Sequence, residues 1–212
     1  MSVQSVLKSM EKIVEMAKIS NGPVQVAIID PGTNCAARYS TFEFKHGELV
    51  WEHFCQDYFA GDATGKNYVE RMAMMARYFS KNEMFLGADI YLIEDQFKAN
   101  VIITLGMLIG MIVTAREREM EEYVKRGSGV AAVKKMPYLI LGLDTRMKTG
   151  IIRDHLPKSK KDIKTEAIEV AQLLCEKIGD TETLQMLTEN AKKDDIADTV
   201  CYEAAFYKFI KS

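Results

Sequence analysis

The run from Val24 to Ile29, VQVAII, constrains this chain most: it is apolar at every position but one and is closed by Asp30-Pro31-Gly32-Thr33-Asn34. A short β-branched run bounded by turn residues predicts a strand covered on both faces. Such a strand needs packed layers on either side. The following segments are consistent with that. Ala36 to Lys45 predicts a second strand, His46-Gly47 a turn, and Leu49 to Cys55 a returning third strand, together a hairpin. Ile90 to Ile93 predicts a fourth strand ending at Glu94, and Tyr138 to Leu143 a fifth. Helical spacing appears over Asn67 to Phe79, Asn100 to Val124, Lys160 to Ile178, Thr183 to Glu189 and Asp195 to Phe209. The methionines of the first of these predict gap-filling core. The expected class is α/β, a mixed five-stranded sheet flanked by helices.

Ahead of this unit, Val6, Leu7, Met10, Ile13, Val14, Met16 and Ala17 recur at helical spacing until Asn21-Gly22-Pro23. This divides the chain into an N-terminal helical extension over 1–22 and one domain over 23–212. The segments 127–135 and 144–161 are expected to be mobile loops. With 212 residues, 48% hydrophobic, there is enough material for one sizeable core.

Cys35, Cys55, Cys175 and Cys201 form no Cys-x-x-Cys pair, and His46, His53 and His155 are scattered. Neither zinc nor a disulfide framework is expected. The first residues lack a basic stretch followed by an apolar one, so the expectation is an intracellular, soluble protein. The apolar run from Val101 to Ala115 has 15 residues, short of the ~20 that span a bilayer, and predicts a buried helix.

The net charge of −2 hides a polar split. Between Tyr123 and Lys164 there are eleven basic and three acidic residues. Such a stretch is a candidate polyanion footprint, or else a solvated face balanced by acids elsewhere.

The acids are placed more tellingly. Asp30 and Glu94 each close an apolar strand, at the rim where sites collect. Either alone also suits a turn or a helix cap. Asp195 and Asp198 stand three apart on a helix and share a face, with Asp194 a candidate N-cap. Two like charges one turn apart repel, unless a cation neutralises both. Oxygen ligands of this kind suit Mg²⁺ or Mn²⁺. A pair of such ions about 4 Å apart can promote phosphodiester cleavage.

The strings Ile29-Asp30-Pro31-Gly32, Ile93-Glu94-Asp95-Gln96-Phe97 and Lys193-Asp194-Asp195-Ile196-Ala197-Asp198 occur in that order from Val24 to the C-terminus. As an ordered set they resemble the RuvC-like Holliday junction resolvases, and within them the viral, poxvirus-type branch. The resemblance implies an RNase H-like fold and cleavage of four-way DNA junctions. It implies two Mg²⁺ ions per site, replaceable by Mn²⁺, on Asp30, Glu94, Asp195 and Asp198. DNA contacts would fall on Phe97, Lys98, Lys148, Lys158, Lys160, Lys161 and Lys164. The long helix, with Gly106 and Gly110, would form a homodimer interface. The viral branch would place the protein at a host replication site. The segment Met1 to Gly22 has no counterpart in the bacterial members.

Two other classes fit parts of the sequence. Asp30 to Asn34 resembles the first phosphate loop of ATP-binding actin-like and sugar-kinase-like proteins, but Asp144-Thr145-Arg146 is a poor second copy and the chain is short. A non-catalytic branched-DNA-binding module of the same fold is the other. Four carboxylates in a DNA groove weaken binding unless they hold metal, which argues against it.

Overall fold

A computed structural model of the chain describes residues 11, 13–15, 17, 22–32, 34–59, 67–95, 99–125, 139–157, 161–190 and 192–212. Five strands form one sheet: β1 (Val24–Pro31), β2 (Cys35–Lys45), β3 (Glu48–Phe59), β4 (Ile90–Glu94) and β5 (Leu139–Leu143). Their order is β3-β2-β1-β4-β5. β1, β2 and β3 run antiparallel to one another in turn, while β4 lies parallel to β1 and β5 parallel to β4. The helices among the described residues are α1 (Tyr68–Phe79), α2 (Glu83–Gly87), α3 (Ala99–Lys125), α4 (Thr145–His155), α5 (Ile163–Ile178), α6 (Thr181–Glu189) and α7 (Lys193–Lys211).

The two-residue repeat of the central strands sorts side chains into two cores. Ala27, Ile29, Tyr91 and Ile93 pack with Met72, Met75 and Phe79 of α1, Phe85 of α2, and Leu108 and Ile112 of α3. Val26, Ile28, Ile90 and Leu92 pack with Tyr202, Phe206 and Ile210 of α7. Each large side chain buried here contributes roughly 1.5–3 kcal/mol. A third core joins α5 to the outer side of α7 through Ala167, Val170, Ala171, Ala197, Val200 and Cys201. Helix α7 is thus enclosed between the sheet and α5. Ile13 and Ala17, both helical, are buried in the same core as Val24 and Phe206.

Local chemistry explains the helix starts. Asn67 and Glu70 form a reciprocal capping box at α1, with bonds of 3.0 and 3.1 Å. Asp162 caps α5 by accepting from the Lys164 and Thr165 amides.

Two expectations need correction, and one short helix was not foreseen. Residues 145–155 are helical, not loop: Asp144 caps α4 by accepting from the Arg146 amide at 2.8 Å, and Ile151 and Ile152 supply a buried face. The weak second phosphate loop is therefore a helix cap. Helix α2, capped by Asn82, has only five residues, too few to show a periodicity. Helix α7 begins at Lys193 with Lys192 as its N-cap, so Asp194 lies in the first turn and does not cap.

β3 also runs four residues past the predicted Cys55 and carries a bulge. Tyr39 pairs with Cys55 but Ser40 with His53, leaving Phe54 as the extra residue. The extra residue reverses the alternation. Gln56 and Tyr58 face α7 on one side of it, and His53, Trp51 and Leu49 do so on the other.

Helix α3 turns Thr104, Leu108, Ile112 and Arg116 inward at four-residue intervals. Its opposite side exposes Ile102 and Ile103, at 53% and 56%, together with Gly106 and Gly110. Among the described residues, no helix is long and apolar enough to cross a membrane.

A candidate metal-binding carboxylate site

β1 and β4 are parallel neighbours, with Ile29 paired to Ile93. Asp30 and Glu94 therefore leave the sheet at one level. By alternation both are on the side covered by α7, along with Ile28 and Leu92. Asp198 is on α7. Asp30, Glu94 and Asp198 each present an oxygen, and these atoms all lie within 4.8 Å of one another. Asp30 and Glu94 are buried and Asp198 nearly so. Gly32 shapes the turn after Asp30: a Cβ there would stand 2.6 Å from the Asn34 carbonyl oxygen.

Crowding of acids in a dry site is unfavourable for their charged forms. Burial, reinforced by Glu94, drives the Asp30 carboxyl well above the ordinary carboxylate range. Burial also pushes Asp198 up to about 6, against the pull of Lys148. Asp195 likewise rises to about 6, through burial and then the neighbouring Asp194 charge. Asp195 adds its charge to the site, since it acts on Asp30, but it is outside the three-oxygen cluster.

Lys148 of α4 enters this cluster. Its Nζ lies 3.3 Å from Glu94 Oε1 and pairs with Asp198. Burial opposes its charge, but Asp198 and Glu94 outweigh burial and raise its pKa. The Tyr202 hydroxyl, one turn beyond Asp198 on α7, donates to the same Glu94 oxygen at 2.8 Å. Lys148 Nζ stands 5.4 Å from the centre of the Tyr202 ring. Tyr202 was missed by sequence reasoning. The available signal was its place four residues after Asp198, hence on the same helix face.

The other expected site residues are distributed as follows. Lys164 pairs with Asp194 and Lys161 with Glu169, both lysines exposed. Gly106 and Gly110 face open space, with nothing within 4 Å of a built Cβ. Phe97, Lys98, Lys158 and Lys160 lie outside the described residues.

A donor set made only of carboxylate oxygens, with no histidine or thiol in the three-residue cluster, fits a hard divalent cation and not zinc. One ammonium against three converging carboxylates leaves negative charge that such a cation would balance.

No protein-family model matches the sequence, and no curated protein does. Solved structures do match. The yeast mitochondrial Holliday junction resolvase is 14% identical with a TM-score of 0.54, over 97% of this chain and 93% of that one. Thermus thermophilus RuvC in complex with a Holliday junction substrate is 14% identical with a TM-score of 0.46, over 88% and 94%. The Fowlpox virus resolvase in complex with Holliday junction DNA is 13% identical with a TM-score of 0.47, over 88% and 97%. The five-stranded mixed sheet flanked by helices thus matches the RNase H-like fold of the yeast mitochondrial resolvase.

Proposed function

We propose that this chain is a structure-selective endonuclease that cuts four-way DNA junctions with divalent metal ions held by Asp30, Glu94, Asp195 and Asp198. The observation that carries this reading is the convergence of Asp30, Glu94 and Asp198 oxygens within 4.8 Å at the ends of adjacent parallel strands. The fold shared with the yeast mitochondrial resolvase supports the junction as substrate.

Mg²⁺, two ions per site, is the expected cofactor, with Mn²⁺ able to replace it. Bound there, the ions supply neutralisation of charge at the scissile phosphate and acidification of water. The protein's part is positioning. β1 and β4 fix Asp30 and Glu94 in register, and α7 brings Asp198 over them. Lys148 is a cation already at the site and would face an incoming phosphate. Phe97, Lys98, Lys158, Lys160, Lys161 and Lys164 complete the DNA-binding set, and α3 would join two chains around Gly106 and Gly110. In the proposed division into an extension over 1–22 and a nuclease domain over 23–212, Ile13 and Ala17 of the extension pack in the core of that domain.

The test separates binding from cutting. Asp30→Asn and Asp195→Asn keep shape and remove charge, so junction binding should persist while cleavage is lost. Full cleavage by either variant would refute the ligand assignment. Asp194→Asn should cost less, because Asp194 is paired with Lys164 away from the three-oxygen cluster.

A further inference from the structure

The carboxylates of the candidate site differ in how they are held. Asp30 is fixed by its strand, but Glu94 has a longer side chain whose torsions must be set by contacts. Two donors meet on its Oε1: the Tyr202 hydroxyl at 2.8 Å and the Lys148 ammonium at 3.3 Å. Tyr202 itself has no freedom. It is fully buried on the stretch of α7 enclosed by the sheet and α5, and it sits in one core with Leu92 and Leu143. Its ring also lies under Lys148. A single rigid side chain thus touches both the carboxylate and the cation that pairs with it.

The two donors differ in kind. An ammonium on a flexible stem can leave Glu94 when DNA or metal arrives, whereas a phenol locked in a core cannot. A hydrogen bond to a liganding carboxylate orients it, and losing such a bond weakens metal binding.

We propose that Tyr202 is the positioning residue of the metal site: its hydroxyl locks Glu94 in the orientation that binds a divalent ion. This rests on the reading of Asp30, Glu94 and Asp198 as metal ligands. It makes no claim about the step of DNA cleavage itself.

The experiment compares Tyr202→Phe, Glu94→Gln and the unaltered full chain. Mn²⁺ binding is measured by electron paramagnetic resonance without DNA. Junction cleavage is measured against Mn²⁺ concentration. Tyr202→Phe keeps the ring in the core and under Lys148, and removes only the donor. Its Mn²⁺ affinity should fall on the order of ten-fold or more. Its half-saturating Mn²⁺ for cleavage should rise in step, with the maximal rate recovered at high metal. A merely structural tyrosine would lower the melting temperature without moving either metal curve. If Tyr202→Phe does not accumulate as folded protein, Tyr202→Met fills similar space without a donor and is read the same way. Wild-type Mn²⁺ affinity in the donor-less variant, with binding abolished in Glu94→Gln, would overturn the role of Tyr202 alone. Wild-type metal binding in Glu94→Gln would overturn the ligand assignment, and the role of Tyr202 with it.

Discussion

The tension at the scale of single residues is between like charges. Asp30, Glu94 and Asp198 converge with one ammonium, Lys148, among them. A metal-free protein holds this cluster at a cost, because desolvated acids repel. Asp30→Asn should therefore melt a few degrees above the wild type without metal. Added Mg²⁺ should raise the wild-type melting temperature, since a ligand of the native state stabilises it, and leave the variant unmoved. Calorimetry with and without Mg²⁺ checks both signs, and equal Mg²⁺ shifts in the two proteins would contradict the assignment. The positions of these acids were legible in the sequence because each depends on local pattern: an apolar run followed by an acid, or two acids three apart. The place of Lys148 was not legible. It stands in a basic stretch that resembles a DNA-contact surface, and only the docking of α4 beside α7 turns it toward Glu94 and Asp198.

The elements that carry the site are fastened by a second polar cluster, between β2, β3 and α7. Arg38 of β2 pairs with Glu203 of α7 and with Asp180, the latter at 3.0 Å. His53 of β3 lies 3.1 Å from Asp180 and 3.6 Å from Glu203. Burial opposes the Glu203 charge, but Arg38 and then His53 outweigh it and hold the carboxyl at about 2. A depressed acid contributes stability above its unfolded pKa, near 4.5, that is lost as the pH falls toward 2. Burial likewise opposes charge on His53, but Asp180 and Glu203 raise its pKa above 6.5. Its contribution is full below 6.5 and is lost as the pH rises through the folded value. The melting-temperature gap between wild type and His53→Gln should therefore shrink from pH 6 to pH 9. Glu203→Gln should cost less than the roughly 3–5 kcal/mol of an uncompensated buried charge, because Arg38 keeps its pair with Asp180. A gap independent of pH would exclude His53 as a charged partner. His53 reaches this cluster through the bulge at Phe54, which explains why β3 was only partly legible. Its alternation changes phase midway, and a period-two pattern cannot show that. Deleting the half-exposed Phe54 would bring His53 next to Cys55 and make the alternation of β3 regular, with both halves keeping their faces, so this variant should still fold cooperatively. Phe54→Ala should stay within about 1 kcal/mol of wild type by urea denaturation.

At the scale of the whole molecule, a chain with one nuclease site, as proposed, would need a second chain to cut a four-way junction symmetrically, and a two-fold pair is the simplest arrangement. The sequence left two roles open for Gly106 and Gly110, the core or an interface. Their open surroundings favour the interface, beside exposed Ile102 and Ile103. Gly106→Leu should fold, with a helix-propensity gain of roughly 0.5–1 kcal/mol. In sedimentation it should shift from dimer to monomer, and paired junction cuts should become single nicks. A wild type that sediments as a monomer while making paired cuts would remove α3 from the assembly. The layer order and five strands were legible because burial on both faces leaves few architectures for a run such as Val24 to Ile29. The packing of Ile13 and Ala17 into the core was not, since an amphipathic helix does not reveal which surface it covers.

The proposed role of the carboxylate cluster is to hold metal that cuts branched DNA. Cleavage of a four-way junction against a linear duplex of matched sequence, with and without Mg²⁺, tests it most directly. The expected result is paired cuts in the junction only when Mg²⁺ is present, with the linear duplex left largely intact and both activities absent in Asp30→Asn. Junction cleavage that proceeds equally in a chelator, or that survives in Asp30→Asn, would contradict it.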